Sequence, residues 1–181
     1  MLLRNIIGSF ILLFSLFFLF SCSHMQVNTD YDPKFDFSKL NTFSVAYNSA
    51  QGTKSLMKER IAKALVQEMI KKGYKYVDKT HADFVIVFHT NVTNKTQVIT
   101  DYQRVGLYPY YYHYSPLVPI QREYQYAEGK LVVDAVTPKE KAIFWRGVVT
   151  DRLQSLNTPE ERIRYINKVV KEVLSSFPTK K

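Results

Sequence analysis

Apolar residues recur along this chain with two different periods, and each period predicts one type of secondary structure. Between Thr53 and Lys72 they return every three or four residues with lysine and glutamate between them, which predicts an amphipathic helix that stops at Gly73. The same spacing over residues 163–177 predicts a last helix that ends before Pro178. Both helices would bury one apolar face.

Shorter runs of β-branched and aromatic residues predict strands. Alternation over residues 42–47 and a continuous apolar run over residues 84–88 are typical of a half-buried and a central strand. Residues 131–149 indicate two strands around a turn at Pro138. We place a further hairpin turn at Asn94-Lys95, leading into a strand over residues 96–105.

Two helices with one apolar face each and about five or six mostly antiparallel strands bury their apolar surface best as two layers. The sequence therefore predicts an α+β fold, a two-layer sandwich. A length of 181 residues, 46% of them hydrophobic and 23% charged, suits a single folded domain. We assign residues 32–181 to that domain.

The N-terminus is typical of a secretory signal. Arg4 provides positive charge, and the apolar run over residues 6–20 is short for a membrane span, which needs about 20 apolar residues. Leu19-Phe20-Ser21-Cys22 follows and resembles the bacterial lipobox. Cys22 is the only cysteine, so an intramolecular disulfide is excluded and lipid attachment is the predicted use of its thiol.

These signals predict the location of the mature protein. Residues 1–21 are a signal peptide, acyl chains such as palmitate on Cys22 anchor the chain to a membrane, and residues 22–31 are a polar tether. Ser23 in place of aspartate favours the outer membrane, facing the periplasm. The formal net charge of +9 then favours an envelope protein, a glycan or lipopolysaccharide as partner, and not nucleic acid.

The chain shows no catalytic signature, and we expect neither an enzyme nor a cofactor. His81 and Asp83 share a strand face, but His89 lies about 26 Å further along it, so the three cannot bind one metal ion. Asp83 is better explained as the cap of a strand or turn. Motifs for serine hydrolases, zinc proteases and phosphate-binding loops are missing.

The most unusual segment is the aromatic stretch over residues 102–126. Tyrosines offer large, stiff contact areas with a hydroxyl group, which suits recognition of sugars, peptides or a protein surface. Alternatives are that the rings cover an open sheet face or edge, or that the loop mediates self-association. The candidate binding residues are Tyr108, Tyr110, Tyr111, Tyr112 and Tyr114.

A series of short motifs resembles one family over nearly all of the mature chain. In order, they are Tyr31-Asp32-Pro33, Phe37, Thr42-Phe43, Lys72-Gly73-Tyr74, Ala82-Asp83-Phe84-Val85, residues 128–134, Trp145-Arg146-Gly147 and Phe177-Pro178. Together they are similar to the bacterial lipoproteins grouped as domain of unknown function 4136. This resemblance implies an exported, lipidated α/β domain and provides no catalytic residues.

Three functions remain open at this stage. The leading hypothesis is a non-enzymatic, lipid-anchored binding or structural protein with an aromatic recognition loop. The alternative is an envelope hydrolase or small-ligand-binding protein whose cleft contains groups such as Asp83, Asp134 or His113. A structural assembly subunit would instead expose an apolar sheet edge or patch.

Overall fold

A computed structural model describes residues 25–47, 55–104 and 116–180. Within them, six strands form one sheet and two α-helices pack on it, with short 3₁₀ turns at Phe37–Lys39 and Lys79–His81. The elements in chain order are β1 (Gln26–Tyr31), β2 (Thr42–Ala46), α1 (Leu56–Lys71), β3 (Lys75–Tyr76), β4 (Phe84–Arg104), β5 (Leu117–Val136), β6 (Ile143–Arg152) and α2 (Pro159–Val173).

The sheet is mixed, with the strand order β1-β6-β5-β4-β2-β3. The four strands β1, β6, β5 and β4 pair antiparallel, whereas β2 pairs parallel with both β4 and β3. The crossover through α1 makes β2 and β3 parallel, because a connection of that length carries the chain back over the sheet. The predicted α+β class, with six strands and two helices, is confirmed.

Both helices lie on one face of the sheet, and the core fills the space between the layers. Side chains on alternate positions of β4, namely Phe84, Ile86 and Phe88, are each at most 2% exposed. Leu65 of α1 and Val170 of α2 reach them from the helix layer as part of one continuous apolar cluster. The two predicted amphipathic helices therefore bury the apolar faces that their spacing indicated.

A group of aromatic rings forms the end of this core near the C-terminus of α2. The ring of Phe177 lies 5.0 Å from Trp145, 5.7 Å from Tyr74, 5.8 Å from Phe84 and 6.1 Å from Phe37, measured between centroids. Most of these contacts are edge-to-face, the arrangement that aromatic quadrupoles favour. Segments far apart in the chain are joined here.

Local signals explain where α2 begins. The Oγ1 of Thr158 accepts a hydrogen bond from the backbone N–H of Glu161, whose carboxylate in turn accepts one from the backbone N–H of Thr158. This capping box satisfies donors that the first helical turn leaves free. At the end of α1, Gly73 has a φ of 93°, a left-handed conformation that favours glycine.

Two predictions about strands are wrong. The tether does not extend to Tyr31, because Gln26–Tyr31 forms β1 along the edge of β6. All six β1 residues are exposed, so their polar composition does not show a buried face. The chain also does not turn at Asn94-Lys95, because β4 continues to Arg104 and pairs with β5 throughout.

Candidate functional site

The longest strands of the sheet extend well beyond its other members as a two-stranded ribbon. Residues 94–104 of β4 pair with residues 117–127 of β5, and we call this ribbon the β-arm. At about 3.3 Å per residue, its eleven pairs extend over about 36 Å. β2 stops beside Val87, and β6 pairs with β5 only from Glu128 onward. In the described part of the chain, the outer edges of the β-arm are therefore unpaired except at its base, where the Leu153 N–H donates a hydrogen bond of 2.8 Å to the Ala127 carbonyl.

The β-arm carries exposed apolar side chains on both faces. Val98, Tyr102 and Leu117 share one face by strand alternation, and they are 53%, 67% and 54% exposed. Ile99 and Tyr124 belong to the opposite face and are also exposed. A long, apolar strand edge is a template for pairing with another chain, and natural proteins usually blunt such edges.

Polar contacts hold the two strands of the β-arm together without covering it. Arg122 and Asp101 form an ion pair across the strands at 3.8 Å. At the base, the guanidinium of Arg152 lies 4.3 Å from the ring centroid of Tyr126, a contact that joins β5 to the neighbouring β6. These partners are exposed or half-exposed, so each contact adds little stability.

The second feature is a cleft in the helix layer, where β4 and β5 leave the body of the domain. Its volume is about 550 Å³, within the range of small-molecule sites. One wall is the start of α1, with Leu56 and Met57, and the other is α2, with Ile166 and Val169. Leu131 of β5 lies on its floor. The lining is mainly aliphatic.

Gly129 shapes the floor of this cleft. A Cβ atom at this position would lie 2.7 Å from the Cδ2 of Leu153, closer than side chains tolerate. Glycine therefore lets the segment after β6 pack directly on β5. Leu153 and Leu156 of that segment complete the apolar lining.

Polar residues interrupt the apolar lining, namely Arg60, Thr90, Asn91, Lys130, Asp151, Gln154, Arg162 and Tyr165. The Tyr165 hydroxyl donates a hydrogen bond of 3.0 Å to Asp151, and burial together with this bond raises the pKa of Tyr165 above its ordinary value. Arg162 donates through Nε and Nη2 to the Leu156 carbonyl. The side chain of Arg60 is half-buried, yet it makes no hydrogen bond or ion pair with any of the described residues.

The structure separates the residues proposed for metal or acid–base chemistry. The Asp83 carboxylate accepts hydrogen bonds from the backbone N–H groups of Asn41 and Thr42, at 2.9 and 2.8 Å. Desolvation acts to raise the pKa of Asp83, but these hydrogen bonds outweigh it and lower the pKa below 3.8. Asp83 thus caps the start of β2, as predicted, while the ring of His81 contacts Thr80.

Asp134 has a structural partner. Its carboxylate is buried and accepts two hydrogen bonds from Arg146, at 2.6 and 2.9 Å. Both residues lie on the sheet face opposite the helices, so Asp134 does not line the cleft. Within the described ranges, no three His, Cys, Asp or Glu side chains lie close enough to hold a metal ion.

The remaining candidates lie outside the described residues. They are the lipidation residue Cys22, His113 and the binding residues Tyr108, Tyr110, Tyr111, Tyr112 and Tyr114. In the sequence, residues 105–115 connect the two ends of the β-arm. Both ends of the aromatic stretch over residues 102–126 belong to strands, because β4 extends to Arg104 and β5 begins at Leu117.

Residues 27–179 match the family model described as Domain of unknown function (DUF4136). The chain belongs to the DUF4136 family. This match confirms the resemblance inferred from the motifs. No curated protein matches the sequence. In the described residues of this DUF4136 chain, neither helix is long and apolar enough to cross a membrane.

A solved structure with a TM-score above 0.5 shares the fold of this chain at low sequence identity. A PDZ domain protein from Parabacteroides distasonis is 14% identical with a TM-score of 0.53, over 92% of this chain and 39% of that one. This DUF4136 chain thus spans well under half of that protein. The PelC dodecamer from Paraburkholderia phytofirmans is 9% identical, over 87% and 99% of the two chains, with a TM-score of 0.49.

A third structure, a neuraminyllactose-binding hemagglutinin homolog from Helicobacter pylori, is more distant. It is 16% identical over 76% of this chain and 83% of that one, with a TM-score of 0.37. At these identities, the likeness of the DUF4136 chain to the Parabacteroides protein establishes the fold alone.

Sequence reasoning predicted a strand over residues 96–105 but missed its continuity with β4 and its pairing with β5, and it missed the cleft. A signal for the β-arm exists, because residues 89–104 contain neither glycine nor proline and are rich in threonine and β-branched residues. The cleft has no comparable signal. Its lining comes from both helices, three strands and the segment after β6, which only the folded chain brings together.

Proposed function

We propose that this chain is a non-enzymatic lipoprotein of the bacterial envelope that binds a partner protein through its β-arm. Lipid on Cys22 anchors it, with the outer membrane facing the periplasm as the favoured location. The secretory signal, the lipobox and the lone cysteine support this part of the proposal. Since β1 begins four residues after Cys22, the tether spans at most about 14 Å and keeps the body near the membrane surface.

One observation carries the binding role: the β-arm exposes unpaired backbone edges together with apolar side chains. A two-stranded ribbon is marginally stable by itself in water. A partner that adds a strand would satisfy backbone N–H and C=O groups along an edge and cover side chains such as Val98 and Tyr124. We therefore favour strand addition as the mode of binding. The added strand can come from another protein or from a second copy of this chain.

The β-arm carries few of the features that protect exposed edges. Pro119 removes one N–H donor from β5, and Lys95 and Arg122 place charge on the ribbon. Apolar residues nevertheless remain exposed on both faces. The tyrosine segment joins the ends of these strands in the sequence, and we propose that it extends the same binding element as a recognition loop.

Site-specific crosslinking in the intact envelope tests this proposal. A photoreactive phenylalanine analogue replaces Val98 or Tyr124 on the β-arm, and Lys63, an exposed residue of α1, serves as the matched control position. We expect a discrete crosslinked protein species from the β-arm positions and none from Lys63. Crosslinks of equal yield and identity at all three positions, or none at the β-arm, would contradict the proposal.

Two further variants separate the parts of the proposal. Replacing Tyr110, Tyr111, Tyr112 and Tyr114 with serine should reduce the crosslink yield if the loop contributes contacts. Cys22→Ser should remove the protein from the membrane fraction and abolish labelling with radioactive palmitate. Retention of Cys22→Ser in that fraction would overturn the lipid anchor while leaving the β-arm result interpretable.

The cleft supports small-ligand binding as a second candidate function. Among the described residues that line it, Asp151 is the one carboxylate, and it is engaged by Tyr165. A hydrolase would instead place two acids, or a nucleophile beside its base, where a substrate can reach them. We therefore favour a ligand site over the envelope hydrolase.

A further inference from the structure

We infer that the cleft at the base of the β-arm binds an anionic amphiphile with a single aliphatic chain. This inference concerns a different surface from the β-arm and is independent of partner binding. It names the ligand class for the small-ligand candidate, and rests on two separate properties of the cleft: its apolar lining and the sign of its uncompensated charge.

The shape and lining of the cleft suit an alkyl chain. Leu131 and Val149 form its floor on the sheet, and Ile166 and Val169 form the α2 wall. Leu56, at its edge, is 68% exposed although it belongs to the helix that otherwise packs on the core. Transfer of each methylene from water into such a site contributes about 0.8 kcal/mol. A flexible alkyl chain can contact the aliphatic side chains of both helices and of the sheet floor at once.

The charges in the cleft select the head group. Its one described acid, Asp151, accepts a hydrogen bond from Tyr165, and burial keeps that tyrosine in its neutral, donating form. Arg162 uses two donors on the Leu156 carbonyl and has others left. Arg60 has no hydrogen-bond or ion-pair partner among the described residues. A carboxylate or phosphate head group would complement these two cations.

Arg60 is the residue on which the specificity rests. It follows Leu56 and Met57 by one helical turn, so its guanidinium belongs to the same wall of the cleft as the apolar chain site. A head group held by Arg60 would therefore place its alkyl chain along the lining of both helices. Arg60 orients the ligand and selects for negative charge on its head group. The aliphatic side chains provide most of the binding affinity.

Calorimetric titration of the mature chain, residues 22–181, tests this inference. The protein carries Cys22→Ser so that its own lipid does not compete, and the probes are used below their micelle-forming concentrations. We expect dodecanoate and dodecyl phosphate to bind with 1:1 stoichiometry and the cation dodecyltrimethylammonium to bind at least about tenfold more weakly. If dodecanoate binds and dodecyl phosphate does not, the site takes a fatty acid. If dodecyl phosphate binds and dodecanoate does not, the site takes a phospholipid-derived ligand.

Variants at matched positions locate the site. Arg60→Gln should weaken dodecanoate binding about tenfold, because a charge-assisted hydrogen bond is lost, whereas Lys63→Gln, on α1 outside the cleft, should have no effect. A dodecanoate analogue with a terminal diazirine should label residues 56–61 or 162–170. Equal binding of the cationic probe, an unchanged affinity of Arg60→Gln, labelling elsewhere or absence of saturable binding would each overturn the inference.

Discussion

Most of the residues that carry the family resemblance pack in the core or form ion pairs on the sheet. Phe37, Tyr74, Phe84, Trp145 and Phe177 belong to separate motifs, and all five meet in the aromatic group at one end of the core. Asp134, in the motif over residues 128–134, and Arg146, in the same motif as Trp145, form an ion pair on the opposite sheet face, in which the carboxylate is buried. Most of the motifs therefore report how the chain folds, although the motif over residues 128–134 also contributes Gly129 and Leu131 to the floor of the cleft.

Asp83 gives a test at the level of one residue. Because its folded-state pKa is lowered, its cap contributes stability above pH 3.8, and this contribution is lost as the pH falls through the lower folded-state value. We expect Asp83→Ala to reduce the free energy of unfolding by about 1 kcal/mol at neutral pH. The difference from the wild type should shrink in acid.

Urea unfolding followed by circular dichroism across the acid range measures this effect. The control is Asp101→Ala, which removes an exposed carboxylate from the β-arm and should change the unfolding free energy little at any pH. A difference between wild type and Asp83→Ala that is independent of pH would show that Asp83 stabilises β2 without its charge.

At the scale of elements, prediction from sequence succeeds where an apolar pattern faces the core. Both helices were found within a few residues of their observed ends, because their apolar stripes and terminal signals are local. β1 was missed because its six residues are all exposed and show no buried face. The far half of β4 was predicted as a strand over residues 96–105, but its continuity with residues 84–88 and its pairing with β5 were missed, since no core selects the side chains of the ribbon.

The candidate sites divide along the same line. Asp83 was predicted to cap a strand or turn because an acid stands directly before a strand in the sequence. The N–H groups that it caps belong to Asn41 and Thr42, 42 and 41 residues earlier in the chain, and the local pattern did not identify them. The cleft was not predicted from the sequence, because Arg60 and Tyr165 lie on different helices. Their proximity depends on how both helices dock on the sheet. A single sequence has no local pattern that reports such docking.

The capping box of α2 provides a test of one element. Thr158→Ala should lower the free energy of unfolding by about 1 kcal/mol, because the N–H of Glu161 loses its side-chain acceptor at the first turn. Thr158→Ser keeps the hydroxyl and should lie close to the wild type. Thermal unfolding of the three proteins provides the measurement, and equal losses for alanine and serine would exclude the cap as the cause.

For the whole molecule, the structure separates a body that holds the core from a β-arm that adds almost no buried surface. The described core residues of β4 end at Phe88 and those of β5 begin at Leu131, well short of the ribbon. The cleft also lies entirely in the body and the base of the two strands. Partner binding and ligand binding should therefore be separable by removing one element.

Replacing residues 94–127 with Asn-Gly makes this separation, because Thr93 and Glu128 are paired across the ribbon and a two-residue turn can join them. We expect the shortened protein to unfold cooperatively, with a free energy of unfolding within about 1 kcal/mol of the full chain, since few apolar contacts are lost. It should bind dodecanoate with unchanged affinity. A second form of it, with the photoreactive residue at Thr93, which is exposed and does not line the cleft, should recover no crosslinked partner. An unfolded product would show that the β-arm stabilises the body, whereas a folded product that still captures the partner would move the binding surface from the β-arm to the sheet.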